Sequence, residues 1–250
     1  MGSVPMFSLF VKLNKRFFDY ISKRQFKEAE QVIEKMVANG LYKYNIYYYR
    51  GILEHEKGNY LKGLSYLNKA IHIKPDNYLD YLAKGNIYYD IEKYKIALKE
   101  YRKAFFIKKD DEAINFNIAM CLWYLERYKE AIMFFKRAAQ FGKKFDVALI
   151  KFWGNSLEAV GQIKEALKLY TKALKKFPLN TELYELKGDA LMYLDKFAEA
   201  NKYYAKVIKI NPNEHRFYYR KALNFHFWAE SIECRIWGQT FKNHLTRYCL

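Results

Sequence analysis

One short word recurs along the chain at a nearly fixed interval: FKEA at 26–29, YLKG at 60–63, YKIA at 94–97, YKEA at 128–131, IKEA at 163–166 and FAEA at 197–200. In each copy an aromatic residue or Ile precedes a small residue by three positions. The small residues, Ala29, Gly63, Ala97, Ala131, Ala166 and Ala200, lie 34 apart with a single step of 35. A period of this size marks one supersecondary unit copied along the chain, because so short a unit cannot bury an apolar face alone and must stack on its neighbours. With apolar residues at 51% of 250, such a stack has ample core, and the period overrides the expectation of one or two ordinary globular domains.

Framed by the small residues, units begin near Phe10, Tyr44, Tyr78, Glu112, Val147, Thr181 and His215, and each holds two helical patterns. In the second unit the spacing predicts a helix over about 45–57, a turn at Gly58-Asn59 and a helix from Tyr60 to about Ile73, stopped by Pro75. Proline lacks the N–H and clashes with the preceding turn. Pro178 and Pro212 occupy the same closing position. No segment alternates with period two, so no sheet is expected. A second set of small residues, Gly51, Gly85, Ala119, Gly154 and Gly188, falls at the eighth position of each first helix and allows two helices to approach closely. A third set, Ala70, Ala104, Ala138 and Ala173, is broken by Met36 and Val207 and would let a second helix touch the next unit.

These residues resemble the tetratricopeptide repeat family, whose signature has Gly or Ala in the first helix, an aromatic and then Ala in the second, and a closing Pro. The resemblance covers residues 10 to about 225. Two departures stand out: Tyr47, Tyr81 and Tyr184 replace the signature Trp, and Lys109 and Lys143 stand where two units would close on Pro. The fold it implies is all-α, a right-handed superhelical solenoid of about seven antiparallel helix pairs. Residues 1–9 read as an N-terminal leader, partly of added origin, 10–228 as the repeats, and 229–250 as an atypical capping helix or tail, where Lys becomes sparse and Cys234, Trp237, His244 and Cys249 appear.

Catalytic patterns are missing. There is no GxSxG, GxxxxGK, HExxH or post-strand GxGxxG, and five histidines are too dispersed to suggest ligands, so the reading is a non-enzyme without cofactor or metal. His55 between Glu54 and Glu56 reads as a solvated helix face, and Asp110-Asp111 as a helix cap. Three cysteines without a CxxC pair argue against a disulfide framework and for a reducing, cytoplasmic setting, with Cys121 a small buried residue. No apolar run approaches the roughly 20 residues of a membrane span, and no signal peptide is read. The net charge of +17 raises nucleic acid as a partner, but the basic residues form no run, and Lys62, Lys69 and Lys99 fall on solvent-facing positions of second helices.

In the family it resembles, first helices line a concave face where partner peptides lie. The offsets this implies select Tyr48, Tyr49, Asn86, Tyr89, Phe116, Asn117, Trp123, Tyr124, Phe152, Tyr193, Tyr219 and Phe227. Aromatics supply contact area and Asn can bond a peptide backbone in both senses. About half of the rings are expected to be packing. Members that bind chaperones use a carboxylate clamp, and its positions become Lys151 and Asn155 with Arg216 and Arg220 two units on, while the middle Asn is replaced by Leu186. Fixed cations there would hold an acidic C-terminus. The leading expectation is therefore a scaffold or adaptor binding a peptide or protein segment, and the alternative is a basic solenoid binding RNA or DNA.

Overall fold

The computed structural model describes residues 3–142 and 146–248, and the side chains of 8–142 and 146–233. Its described residues form helices throughout: α1 (Ser3–Ser22), α2 (Phe26–Ala38), α3 (Lys43–Glu56), α4 (Tyr60–Ile73), α5 (Tyr78–Asp90), α6 (Tyr94–Ile107), α7 (Glu112–Tyr124), α8 (Tyr128–Phe141), α9 (Val147–Ala159), α10 (Ile163–Lys176), α11 (Thr181–Met192), α12 (Phe197–Ile210) and α13 (His215–Tyr248). The expected pair over 45–57 and 60–73 is α3 and α4. α1 begins at Ser3, inside the stretch read as a leader, and α13 runs without a break past residue 229. The side chains of Cys234, Trp237, His244 and Cys249 lie outside the described residues.

Four of the first helices start with the same chemistry. Asn77, Asp111, Asp146 and Asn180 cap α5, α7, α9 and α11 by accepting from a backbone N–H two or three residues on, which satisfies a donor that the first turn would otherwise leave orphaned. Asp111 thus has the capping role its sequence suggested. First helices end in a tight turn: Lys93 N–H donates to the Tyr88 carbonyl and Arg127 N–H to that of Leu122, both at 2.8 Å, across a residue at positive φ. The residues at that position are Arg24, Gly58, Glu92, Glu126, Gly161 and Asp195.

Three of the eighth-position glycines, Gly85, Gly154 and Gly188, make room for a ring, and Gly51 makes room for Leu67. A Cβ built on Gly85 would stand 2.3 Å from Tyr101 Cε1, and one on Gly154 would stand 2.1 Å from the Tyr170 hydroxyl. Tyr101, Tyr170 and Tyr204 are fully buried there, each ring contributing roughly 2–3 kcal/mol. A buried hydroxyl needs a partner, and each finds one on the first helix of its own pair: Tyr101 donates to Asn86 Oδ1 at 2.8 Å, Tyr170 to Glu158 at 2.8 Å and Tyr204 to Asp189 at 2.6 Å. The third small set, Ala70, Ala104, Ala138 and Ala173, is completely covered, as are the exceptions Met36 and Val207. Tyr81 and Tyr184, in place of the signature Trp, donate back to the carbonyls of Pro75 and Pro178.

The chain divides into two compact units, Met1–Arg127 with Arg137–Gly142, and Tyr128–Lys136 with Lys143–Leu250. In the first, helices pack in series from α1 to α7 and α3 lies beside α5. In the second, the series runs from α9 to α13 and α9 lies beside α11. The first unit's main core gathers Leu13, Phe17, Ile33, Met36 and Leu53; the second's gathers Ile150, Leu157, Leu169, Tyr170 and Leu183.

Candidate partner-binding faces

In the first unit, successive first helices bring the selected residues into one neighbourhood. Asn86 and Asn117 meet, Asn117 Nδ2 donating to Asn86 Oδ1 at 3.2 Å. Beside them Tyr89 contacts Tyr94 and Tyr124 edge to face, with ring centroids 5.5 and 5.7 Å apart, while Tyr94 and Tyr124 stack at 4.3 Å. Trp123 meets Tyr124 edge-on at 5.1 Å. Tyr124 is exposed, and Tyr89, Phe116 and Trp123 are half-buried. Burial, with Tyr124 close by, pushes the Tyr89 phenol up, so it stays neutral and serves as donor or apolar surface. Tyr94 lies on a second helix, outside the offsets that the family resemblance singles out, which is why it was not selected.

Tyr49 does not belong to this face. It is 3% exposed, packs edge-on against Phe17 and donates to Asn14 at 2.7 Å; burial pushes its phenol up to about 12. Phe17 and Asn14, both on α1, cover the side of α3 that Tyr49 occupies. Tyr48 is half-buried and packs against the same core. The Glu54-His55-Glu56 face also differs from expectation. Glu54 is buried among Lys57, Asn59 and Lys62, and His55 is largely covered, with Nε2 2.6 Å from Asp90; the neighbouring first helix, α5, supplies the partner that a single-helix reading cannot see. Cys121 is buried as expected, and burial pushes its thiol up to about 12.

In the second unit the clamp positions are already occupied by the chain's own carboxylates. Lys151 pairs with Glu182 at 2.7 Å, Arg216 with Glu185 at 3.5 Å, and Arg220 with Glu185 and Asp189, each at 3.5 Å. Asn155 and Phe152 are half-buried and Leu186 packs into the core. The fixed free cations expected for an acidic C-terminus are therefore not present. Glu182, Glu185 and Asp189 lie three and four residues apart on α11, one stripe whose spacing was visible in the sequence but went unread. Burial raises Glu185 and Asp189 despite these arginines, and burial pushes Glu158 up to about 7, Tyr170's hydroxyl opposing and Asp189 adding to the shift. Tyr193 and Tyr219 are well exposed, at 68% and 66%.

Among the described residues no group of three or more His, Cys, Asp or Glu is placed to hold a metal ion, and no helix is long and apolar enough to cross a membrane. What the geometry defines is a helix-pair repeat protein whose first helices present aromatic and amide side chains. The tetratricopeptide repeat model matches residues 82–144 and 153–215, just over half of the chain, and the chain belongs to that family. It is 31% identical over 144 residues to a repeat-containing protein of Methanocaldococcus jannaschii, covering 58% of this chain and 25% of that one. Over 218 residues it is 22% identical to the BBSome complex member BBS4 of Bos taurus, covering 86% of this chain and 41% of the relative. The chain thus spans less than half the length of either. Among solved structures, YrrB, described as a repeat protein with an unusual peptide-binding site, superposes with a TM-score of 0.56 at 22% identity, covering 64% of this chain and 82% of that one; the likeness is one of fold.

Proposed function

We propose that this chain is a cytoplasmic, non-enzymatic adaptor that holds an extended segment of another protein against the first helices of its first unit. The observation that carries this is the Asn86–Asn117 pair. With their mutual bond made, Asn86 Nδ2 and Asn117 Oδ1 have no partner among the described residues, so one donor and one acceptor are offered together to a peptide backbone. Tyr89, Tyr124 and Trp123 lie in the same unit as rigid aromatic anchors. Family membership supports a protein-interaction role, and the YrrB likeness agrees with peptide as ligand. An acidic C-terminus is not carried forward, because Lys151, Arg216 and Arg220 are engaged.

The test is affinity capture from nuclease-treated extract of the source cells, comparing wild type with a Tyr89→Ala/Tyr124→Ala variant whose helicity is first checked by circular dichroism. A discrete set of proteins retained by the wild type and lost by the variant is the expected result. Retention of the same proteins by both would remove the aromatic face from the mechanism. Capture of nucleic acid alone from untreated extract would favour the basic-solenoid alternative instead.

A further inference from the structure

At the C-terminal end of the second unit, the last turn of α11, the start of α12 and the middle of α13 border an open hollow of about 380 Å³. Its walls are Met192, Tyr193, Phe197 and Phe227, and its charged lining residues are Asp195 and Glu230. The volume is at the lower end of the roughly 300–1,000 Å³ typical of ligand pockets, which suits one bulky side chain rather than a folded surface. Asn224 ties two of its walls together: fully buried on α13, it donates from Nδ2 to the carbonyl of Phe197 at 3.0 Å, and its Oδ1 has no partner.

The charge is the unusual part. In a chain of net charge +17, no Lys or Arg among the described residues lines this hollow. Lys196 pairs with Glu199 at 3.3 Å and Arg220 is held by Glu185 and Asp189. Glu230 lies 3.2 Å from His226 on its own helix, and Asp195 has no cation partner among the described residues. From this we infer that the hollow docks a bulky apolar side chain of a partner peptide that carries Lys or Arg directly beside it. The ring or aliphatic group fills the apolar walls, and the flanking cations meet Asp195 and Glu230, which select against acidic sequences. The inference rests on the adaptor reading and places a sequence preference on its second unit.

The probe is a set of three labelled peptides of equal length in a Gly/Ser background: one with a central Phe followed by a Lys pair, one with the same Phe followed by a Glu pair, and one with Ala followed by the Lys pair. Fluorescence anisotropy at about 0.1 M salt leaves contact charges effective while screening distant ones. Wild type is expected to bind the first peptide at least about tenfold more tightly than either other. Tyr193→Ala, and separately Asp195→Asn with Glu230→Gln, should each weaken that binding by about tenfold or more, whereas Tyr89→Ala/Tyr124→Ala in the first unit leaves it unchanged. Equal affinity for the three peptides, or binding of none, overturns the preference. Binding that survives both hollow variants but is lost in the first-unit variant overturns the location and leaves the adaptor reading standing. A concentration-dependent dimer abolished by Tyr193→Ala would give the hollow to a second copy of this chain, against the inference.

Discussion

Glu158 shows how one residue sets a condition on the whole fold. Burial raises its folded pKa from 4.5 to about 7, so the protonated form is favoured in the folded state. That contribution is fully present below the unfolded pKa and disappears as pH rises through 7. Glu158→Gln keeps an acceptor for Tyr170 and removes the titration. In urea unfolding it should be more stable than wild type by about 1–2 kcal/mol at pH 8, after allowance for solvent screening, and indistinguishable at pH 4. Asp80, raised to about 7 by burial although Tyr44 donates to it, keeps a similar slope in both proteins. Identical profiles at pH 8 would show that water reaches Glu158 freely. Gly85 makes a second case. Ala there places a Cβ against Tyr101 and should cost about 2–3 kcal/mol of stability. Tyr101→Phe releases the ring from Asn86 and lets it shift away from the added methyl, so Gly85→Ala/Tyr101→Phe should lose less than its two single changes summed, by about 1 kcal/mol in a double-mutant cycle.

At the scale of helices and turns, most of the architecture was legible because period, small positions and proline stops all report one unit, and α3 and α4 fall where those signals put them. Less of the site could be read. Offsets on a single helix selected Tyr49, which the upstream helix α1 covers through Phe17 and Asn14, and named Lys151, Arg216 and Arg220 without seeing that α11 sends Glu182, Glu185 and Asp189 to meet them. Helical spacing gives the direction of a side chain; its partner comes from a helix more than 30 residues away in sequence, and only the stack brings the two together. The turns allow a test of their own. Glu92 and Glu126 sit at φ near +58° where Gly58 and Gly161 serve elsewhere. Glu92→Gly and Glu126→Gly remove that strain against a smaller loss of unfolded-chain entropy, and each should raise stability by about 0.5–1 kcal/mol in thermal unfolding. A loss in both would mean that the Glu side chains hold the turns.

At the scale of the whole chain, the charge of +17 acts with little regard to sequence. Single-stranded oligonucleotides should be retained at about 50 mM salt and released by about 300 mM, the steep dependence expected of counterion release. Retention at high salt, with preference among sequences, would instead point to base contacts and revive the nucleic-acid alternative. The hydroxyls of Tyr101, Tyr170 and Tyr204 are each satisfied inside their own helix pair. A genetic duplication or deletion that cuts at the boundaries of these three pairs thus strands none of their phenols, and a lineage can lengthen or shorten that part of the chain in steps of about 34 residues while each of these rings keeps its partner; a cut between α2 and α3 would instead part Tyr49 from Asn14.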